Sequence, residues 1–418
     1  MNQYLISGGQ PLQGRISVGG SKNASLPLLA ACLLGEGEGE CILHNIPQLS
    51  DVKNMVQILE SLGAKTYSDG HTITIDAKSL TGISISEDSM RQMRASNLFL
   101  GPLLARLGEA RIPLPGGCRI GSRPMDQHLK GLEALGVDIQ ESHGYIEAKA
   151  ACMRGADIYF DVPSVGATEN LMMAAVAAEG TTILRNAARE PEIVDLQNML
   201  NTMGAQIVGA GTSTIRVMGG KRLGGTSYTV VSDRIEAGTH MLAAVMTQGD
   251  LEIDNVVPEH MSPVIAKTKQ CGADVSVKGS SVRVRHTGQI KPLEVKTMSY
   301  PGFPTDMQPQ FMALMTLAEG TSVMTETIFE NRFQHVDELR RMGAKIVIEG
   351  RFAIISGVKK LEGAFVEASD LRAGAALFLA ALAAEEASVL RNIEYIFRGY
   401  ENLEEKYVAV GAKVQRMI

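Results

Sequence analysis

The fold is decided by a pattern that appears in full in residues 171–205, LMMAAVAAEGTTILRNAAREPEIVDLQNMLNTMGA. A run of small apolar residues ends at a glycine, a β-branched strand follows, and a polar-faced segment then ends at Met-Gly-Ala. The first segment is apolar on nearly all sides, which predicts a buried helix. The terminal glycine of the second helix is expected to take the left-handed C′ position. The stretch therefore predicts a helix, a strand and a second helix in succession.

The same ending recurs six times along the chain, with its glycines 68 to 73 residues apart. The copies are Leu62-Gly63-Ala64, Leu135-Gly136-Val137, Met203-Gly204-Ala205, Cys271-Gly272-Ala273, Met342-Gly343-Ala344 and Val410-Gly411-Ala412. A repeat of this length is a supersecondary unit. Alternating strands follow the second helix, as in residues 72–76 and 282–285, and such strands have one face in water. The predicted fold class is α/β, with buried helices surrounded by half-exposed sheets.

The last copy is incomplete, because the sequence stops seven residues after Gly411. The missing strand pair is predicted at the start of the chain, where residues 5–8 and 12–14 match residues 354–357 and 361–363 at a constant offset of 349. Six copies exceed what one core usually supports, so two domains of three copies each are expected. The predicted domains are residues 22–231, and residues 1–21 together with 232–418. The two crossings, near 20–22 and 230–233, are expected to form a hinge.

The composition is that of an ordinary globular protein, with 45% apolar and 21% charged residues. A net charge of −6 and the lack of a basic patch argue against nucleic acid as a partner. The start does not resemble a signal peptide, and the most apolar stretch, residues 373–384, is too short to span a bilayer. Five scattered cysteines without a CxxC pair predict a reducing cytoplasm and no structural metal site. No cofactor is predicted, since the sequence has no P-loop and no GxGxxG after a strand.

Chemistry is expected where the repeats differ, which is at the first residues of the buried helices. These starts carry Lys22-Asn23, Arg94, Ser164-Val165-Gly166, Asp233-Arg234-Ile235-Glu236, Thr305-Asp306 and Asp370-Leu371-Arg372. Helix N-termini favour anions through their free N–H groups and the helix dipole. Added cations therefore predict sites for phosphate or carboxylate. The alternative is that these charges cap helices, or pair with Asp233, Asp306 and Asp370.

One segment breaks the repeat, residues 113–124 with the sequence PLPGGCRIGSRP. Its three glycines and three prolines predict a mobile loop followed by a fixed turn. Cys118 lies in the middle, close in sequence to Arg119 and Arg123, and nearby cations favour a reactive thiolate. We therefore expect Cys118 to be reactive. The remaining cysteines are expected to be inert residues in or beside the core: Cys32, Cys41, Cys152 and Cys271.

Motifs along the whole chain, in order, resemble those of the UDP-N-acetylglucosamine enolpyruvyl transferases, in the enolpyruvyl transferase family. They are residues 20–24, 93–96, 115–118 with 121–126, 164–168, 189–195, 303–308, 329–333 and 398–401. The resemblance implies two inside-out α/β domains, each of three βαβαββ units. It also implies transfer of the enolpyruvyl group of phosphoenolpyruvate to the 3-hydroxyl of UDP-N-acetylglucosamine, with release of phosphate. That reaction is the first committed step of peptidoglycan precursor synthesis.

The resemblance also implies roles for single residues. Cys118 matches the cysteine that protonates C3 of phosphoenolpyruvate and is alkylated by fosfomycin, and Asp306 matches a general base. Cations around the phosphate are implied at Lys22, Arg123 and Arg398, and cations that hold the carboxylate or help close the cleft at Arg332 and Arg372. Contacts to the sugar nucleotide are implied for Asn23, Arg94, Arg123, Pro124, Met125, Asp126, Gln127, Ser164, Val165, Gly166, Asp306 and Ile328. The site is expected in a cleft between the domains, with the Cys118 loop as a lid.

Two places depart from the family pattern. Tyr395-Ile396-Phe397 stands before Arg398 where the family commonly has His-Ile-Asp, and Gln127 stands where leucine is common. Two other functions stay open. One is the sibling reaction on shikimate 3-phosphate, against which the cysteine loop argues. The other is a weakly active paralogue that binds the sugar nucleotide or a regulatory partner, against which the retained Lys22, Cys118 and Asp306 argue.

Overall fold

The structure is a computed structural model that describes residues 2–88, 94–114 and 125–417, and only the backbone of residues 94–96. Its helices are α1 (Lys22–Ala31), α2 (Ser50–Ser61), α3 (Leu100–Leu107), α4 (Asp126–Ala134), α5 (Val165–Ala175), α6 (Pro191–Thr202), α7 (Arg234–Met246), α8 (Ser262–Gln270), α9 (Gln308–Met315), α10 (Val336–Arg341), α11 (Leu371–Ala383) and α12 (Leu403–Ala409). Short 3-10 helices lie at Cys32–Leu34, Arg94–Phe99, Pro258–Met261, Thr305–Met307 and Ile393–Arg398. Across the described ranges, no helix combines the length and the apolar character needed to span a membrane.

The strands are short, mostly of three to five residues. In chain order they are β1 (Gln3–Ser7), β2 (Gln13–Ser17), β3 (Cys41–His44), β4 (Lys65–Asp69), β5 (Thr72–Asp76), β6 (Glu109–Pro113), β7 (Asp138–Ser142), β8 (Tyr145–Lys149), β9 (Asp157–Tyr159), β10 (Thr181–Arg185), β11 (Gln206–Val208), β12 (Thr214–Met218), β13 (Thr226–Thr229), β14 (Asp250–Asp254), β15 (Asp274–Lys278), β16 (Ser281–Arg285), β17 (Glu294–Lys296), β18 (Thr321–Thr325), β19 (Lys345–Glu349), β20 (Phe352–Ser356), β21 (Phe365–Glu367), β22 (Ala387–Arg391) and β23 (Lys413–Met417).

The described chain divides into two compact units, each with its own hydrophobic core. The Lys22 unit contains described residues from 20 to 231, and its sheets have the orders β13-β3-β5-β4, β6-β8-β7 and β11-β12-β10-β9. The Asp306 unit contains residues 2–19 and 232–417, with the orders β15-β16-β14-β2, β17-β18-β20-β19 and β21-β22-β1-β23. The predicted domain boundaries, after residues 21 and 231, stay a prediction.

The odd-numbered helices form the interior of each unit, because their residues are apolar on nearly all sides. Helix α9 buries every residue, and α11 buries every residue from Leu371 to Leu382. These two helices pack against each other, as α3 and α5 do in the Lys22 unit. The strands alternate as predicted, since β5 buries Ile73 and Ile75 and exposes the opposite face more. The predicted α/β fold class, with helices inside half-exposed sheets, is confirmed.

The even-numbered helices end as the repeat predicts. All six glycines of the repeated ending take the left-handed conformation, with φ between 90° and 110°. At five of the six ends, the residue after the glycine then donates its N–H to a carbonyl in the last turn of the helix, as from Ala64 to Leu59 at 3.0 Å and from Ala344 to Leu339 at 3.1 Å. This bond satisfies a helix-end carbonyl and turns the chain back into the next strand.

Two edge strands lie just before the points where the chain passes from one unit to the other, and each pairs within its own unit. β2 pairs in parallel with β14 of the Asp306 unit, but it leads into α1 of the Lys22 unit. β13 pairs in parallel with β3 of the Lys22 unit, but it leads into α7 of the Asp306 unit. The chain thus crosses twice. Beside these crossings, Asp233 N–H donates to Gly19 O at 3.0 Å, and Ser21 N–H donates to Val231 O at 2.7 Å.

Candidate active site

The residues predicted at the helix starts lie there. Lys22 begins α1, Ser164 caps α5, and the turn at Thr305–Met307 leads into α9. Asp233 and Asp370 cap α7 and α11, and each side chain accepts two backbone N–H groups between 2.8 and 3.1 Å. These two acidic side chains therefore cap helices, whereas the pairing alternative raised by the sequence is observed for Arg372, which lies 3.1 Å from Asp306.

The Asp306 carboxylate lies between two buried guanidinium groups. Arg332 Nη2 donates to Oδ1 at 2.8 Å, and Arg372 Nη2 donates to Oδ2 at 3.1 Å. The arginine side chains are 3% and 5% exposed, whereas Asp306 keeps 27% exposure. Burial raises the pKa of Asp306, but Arg372 and Arg332 outweigh burial and hold this pKa well below its usual range. While both arginines hold it, Asp306 is an ionised carboxylate and a weak base.

The two arginines have further partners in the same unit. Arg332 Nη1 donates to the hydroxyl of Thr305 at 2.9 Å, and the Arg332 guanidinium lies 5.2 Å from the centre of the Phe329 ring. Arg372 Nη1 lies 3.4 Å from the hydroxyl of Tyr400, with the guanidinium 5.7 Å from the Tyr400 ring centre. Both guanidinium groups are therefore held in place before any substrate binds.

Arg398 lies close to the start of α11. It ends the 3-10 helix Ile393–Arg398, and the next residue, Gly399, contacts Leu371 so closely that a Cβ at Gly399 would lie 2.6 Å from a Leu371 methyl group. The missing side chain at Gly399 therefore places the backbone of Arg398 beside the helix that carries Arg372. Ile328 lies after β18 and is 38% exposed.

Lys22 forms an ion pair within its own unit. Its Nζ lies 2.9 Å from Oδ2 of Asp51, a residue in the first turn of α2 that is 1% exposed. The sequence pattern places Asp51 on a polar helix face, so this buried partner was missed. The pair forms because the first turns of α1 and α2 lie together. A buried carboxylate of this kind fixes the ammonium group at the helix start.

The predicted sugar-nucleotide residues of α4 and α5 are brought together. Gln127 Oε1 accepts the Asp161 N–H at 3.0 Å, and Gln127 Nε2 donates to the Asp161 carboxylate at 3.1 Å. A Cβ at Gly166 would lie 3.4 Å from the ring of His128. The contacts hold two helix starts next to each other: Met125, Asp126 and Gln127 at α4, and Ser164, Val165 and Gly166 at α5.

His128 is a residue whose position the sequence did not reveal. Its ring is 4% exposed, and Nδ1 lies 3.0 Å from Nδ2 of Asn170. Burial lowers the pKa of His128 to about 4, so the imidazole is neutral and Nδ1 accepts from the amide. Asn170 also donates to the carbonyl of Asn97 at 2.8 Å and accepts the Gly101 N–H at 2.7 Å. His128 and Asn170 together join α3, α4 and α5.

Some predicted residues cannot be placed. Cys118, Arg123 and Pro124 lie outside the described residues, and Arg94 is described by its backbone alone. Among the other cysteines, Cys32, Cys41 and Cys271 are buried as expected. Cys152 was expected in or beside the core and is exposed, because it lies in the turn after β8 and the next residue, Met153, is the one that is buried. In the part of the chain that the structure covers, no group of His, Cys, Asp and Glu side chains could hold a metal ion.

Comparison with known proteins places the chain in a family. The family model of EPSP synthase (3-phosphoshikimate 1-carboxyvinyltransferase) matches residues 6–407. UDP-N-acetylglucosamine 1-carboxyvinyltransferase 1 of Carboxydothermus hydrogenoformans is 54% identical over 417 residues, covering 100% of this chain and 99% of that protein. UDP-N-acetylglucosamine 1-carboxyvinyltransferase 2 of the same organism is 53% identical over 420 residues and 100% of both chains.

The similarity extends to three dimensions. The crystal structure of the enolpyruvyl transferase NikO from Streptomyces tendae has a TM-score of 0.88 and 26% identity, covering 100% of this chain and 99% of that one. Sequence and structure thus agree over the whole length, and the family predicted from the motifs is confirmed. The chain belongs to the family of EPSP synthase (3-phosphoshikimate 1-carboxyvinyltransferase), the enolpyruvyl transferases.

Proposed function

We propose that the protein transfers the enolpyruvyl group of phosphoenolpyruvate to the 3-hydroxyl of UDP-N-acetylglucosamine and releases phosphate, as the first committed step of peptidoglycan precursor synthesis. The observation that carries the proposal is the 54% identity, over the full length, to a protein named UDP-N-acetylglucosamine 1-carboxyvinyltransferase 1. The buried arginines around Asp306 support it, because an anionic substrate needs such preorganised cations.

The addition step would use one acid and one base. The 3-oxygen of the sugar forms a bond to C2 of phosphoenolpyruvate, its proton goes to Asp306, and C3 receives a proton from the Cys118 thiol. In the elimination step, the bond from C2 to the phosphate oxygen breaks, C3 gives a proton back to the Cys118 thiolate, and the double bond between C2 and C3 forms again. The departing phosphate takes the proton held by Asp306, which restores the carboxylate. Phosphate and the enolpyruvyl ether are the products.

The arginine contacts of Asp306 limit its role as a base. With Arg332 and Arg372 both in place, the pKa of Asp306 lies well below its usual range, so Asp306 would remove a hydroxyl proton poorly. We infer that the carboxylate of phosphoenolpyruvate takes over one or both guanidinium groups, which leaves Asp306 more basic when substrate is bound. Lys22, Arg123 and Arg398 are proposed to hold the phosphate.

The paired helix starts of the Lys22 unit are the proposed contacts of the sugar nucleotide, together with Asn23, Arg94, Arg123, Pro124, Asp306 and Ile328. The starts of α4 and α5 present backbone N–H groups that suit phosphate and uracil oxygens. We also propose that Cys118 is the residue alkylated by fosfomycin, and that the protein works in the cytoplasm.

The test is phosphate release from phosphoenolpyruvate, with UDP-N-acetylglucosamine and shikimate 3-phosphate offered as parallel acceptors. Release with the sugar nucleotide alone, and its loss after fosfomycin treatment or in Cys118→Ser, is expected. Release with shikimate 3-phosphate alone would replace the acceptor and keep the chemistry. No release with either acceptor, while UDP-N-acetylglucosamine still binds, would favour a binding-only paralogue.

A further inference from the structure

A buried carboxylate next to the candidate site has no role in the proposed reaction. Glu326 directly follows β18 and is 0% exposed. Four neutral groups donate to its two oxygens, namely the hydroxyls of Thr297 and Thr305 and the N–H groups of Ile328 and Phe329. Burial of a carboxylate is costly unless hydrogen bonds compensate it. These four hydrogen bonds offset the cost of burying the carboxylate, and they identify the segments that Glu326 fixes.

The two oxygens of Glu326 hold different parts of the chain. Oε1 accepts from Thr297 at 2.9 Å, from the Ile328 N–H at 2.8 Å and from the Phe329 N–H at 3.1 Å. This side fixes the segment that leads to Arg332. Oε2 accepts the Thr305 hydroxyl at 2.8 Å, next to Asp306 in the chain. Glu326 therefore links the segment that leads to Arg332 with the turn that carries Asp306.

The Thr305 hydroxyl has a single proton, so its direction matters. Since the proton is donated to Glu326, a lone pair of the oxygen faces Arg332, whose Nη1 donates to it at 2.9 Å. That bond orients the planar guanidinium, and Arg332 Nη2 then meets Asp306 Oδ1 at 2.8 Å. An apolar residue or a reversed hydroxyl at this point would remove one of the two bonds that fix the guanidinium plane.

We propose that Glu326 is a positioning residue, which acts through the hydroxyl of Thr305 to orient Arg332 against Asp306. The inference rests on the proposed function, in which Asp306 and Arg332 act on the substrates. Glu326 touches no substrate in this scheme. Its effect is to fix the distance and direction of a cation that the reaction needs in one place.

Glu326→Gln is the informative substitution, because it keeps the size of the side chain. The amide oxygen can still accept the N–H groups of Ile328 and Phe329, whereas the amide nitrogen replaces the acceptor of the Thr305 proton. Thr305→Val removes the same link from its other end. Thr297→Val is the matched control, since it removes a hydroxyl from Glu326 Oε1, the oxygen that does not contact Thr305.

We expect Glu326→Gln and Thr305→Val each to lower kcat about tenfold at saturating substrates, with KM for UDP-N-acetylglucosamine within about twofold of the wild type. Thr305→Ser should restore the kcat that Thr305→Val loses. The double variant Glu326→Gln/Thr305→Val should be no slower than Thr305→Val alone, because both changes break one link. Thr297→Val should keep kcat within about twofold, even where it lowers the urea midpoint.

Two results would overturn the inference. One is a loss of kcat in Thr297→Val as large as in Glu326→Gln. The other is a double variant Glu326→Gln/Thr305→Val whose loss of kcat is the product of the two single losses. Should Glu326→Gln not fold, the Thr305→Val and Thr305→Ser pair tests the same hydroxyl. A second measurement does not depend on activity. If Glu326 orients Arg332 for Asp306, the urea-midpoint shifts of Glu326→Gln and Asp306→Asn add to more than the shift of their double variant.

The two measurements separate the inference from the proposed function. A wild-type protein that releases no phosphate defeats the proposed function, and the unfolding comparison then decides the inference by itself. Simple addition of the two midpoint shifts would show that Glu326 and Asp306 are independent, and the inference would be wrong.

Discussion

Among single residues, Asp306 should make the stability of the protein depend on pH. Its two arginines hold the pKa of Asp306 below the unfolded value, so their contribution to stability is complete above the unfolded pKa of about 4 and is lost as the pH falls toward the folded pKa. Asp306→Asn removes this titration. We expect the difference in urea midpoint between Asp306→Asn and wild type to be constant from about pH 7 to about pH 5 and to shrink below about pH 4. A difference that stays constant throughout acidification would contradict the arginine pairing.

The ion pair of Lys22 and Asp51 supplies a second prediction for single residues. Lys22→Met leaves the buried carboxylate without its ammonium partner, which should lower the free energy of unfolding by about 3 to 5 kcal/mol. In Lys22→Met/Asp51→Leu no charge is left behind, so most of that stability should return while phosphate release stays lost. Lys360→Met is the matched control, because Lys360 and Glu385 form an exposed pair whose loss should change the stability far less. Equal losses in Lys22→Met and Lys360→Met, measured by urea unfolding, would rule out a structural role for the buried pair.

What the sequence could predict of single residues follows from how each one is recognised. Asp306 and Arg332 lie in motifs and Arg372 lies at a predicted helix start, and the structure brings these three together. Asp51 lies in the first turn of a helix and Glu326 directly after a strand, and neither position predicts burial from the sequence. Both contact candidate site residues through tertiary packing. A periodicity argument assigns a residue to a face of its own element, but it does not reveal which buried polar groups need a partner.

At the scale of elements, the repeated glycine predicts how the helices end, and its cost can be measured. Gly343 has φ +90° with open space where a Cβ would lie, so Gly343→Ala should lower stability by about 1 to 2 kcal/mol, the cost of the left-handed conformation alone. Gly63 has φ +102°, and a Cβ there would lie 2.7 Å from the Ser79 carbonyl oxygen. Gly63→Ala should therefore lose more stability than Gly343→Ala in thermal and urea unfolding.

Gly288 is the control for this comparison. It has no positive φ and no atom within 4 Å of the point where a Cβ would lie, so Gly288→Ala should change stability by less than about 0.5 kcal/mol. If Gly63→Ala and Gly343→Ala were as mild as Gly288→Ala, the left-handed helix ends would not be important. The six helix ends were predictable because a left-handed residue has a sequence signal, glycine. The parallel pairing of β2 with β14 and of β13 with β3 was not predictable, since pairing with a distant strand leaves no local signal.

At the scale of the whole molecule, the first strand of the chain completes the last repeat. β1 lies between β22 and β23, and antiparallel pairing sets Gln3 opposite both Arg391 and Met417. Tyr4 and Ile6 of this strand are fully buried. The sequence could suggest this closure, because residues 5–8 resemble residues 354–357. It could not show the register, which depends on side chains from three distant strands packing on one core.

The register predicts the behaviour of a circular permutant. Because Gln3 lies opposite Met417 in an antiparallel pair, a short turn containing Asn-Gly can join residue 418 to residue 1, and the new chain can begin at residue 20 and end at residue 19. We expect this permutant to keep the urea midpoint of the wild type, measured by circular dichroism because the chain has no tryptophan. A chain of residues 20–418 followed by a Gly/Ser tail of equal length is the control, and it should unfold at a lower urea concentration, since β22, β23 and β14 lose their partners. If the control and the permutant both kept the wild-type midpoint, the first two strands would contribute little to stability. If both unfolded at a lower urea concentration than the wild type, a short turn could not close the register.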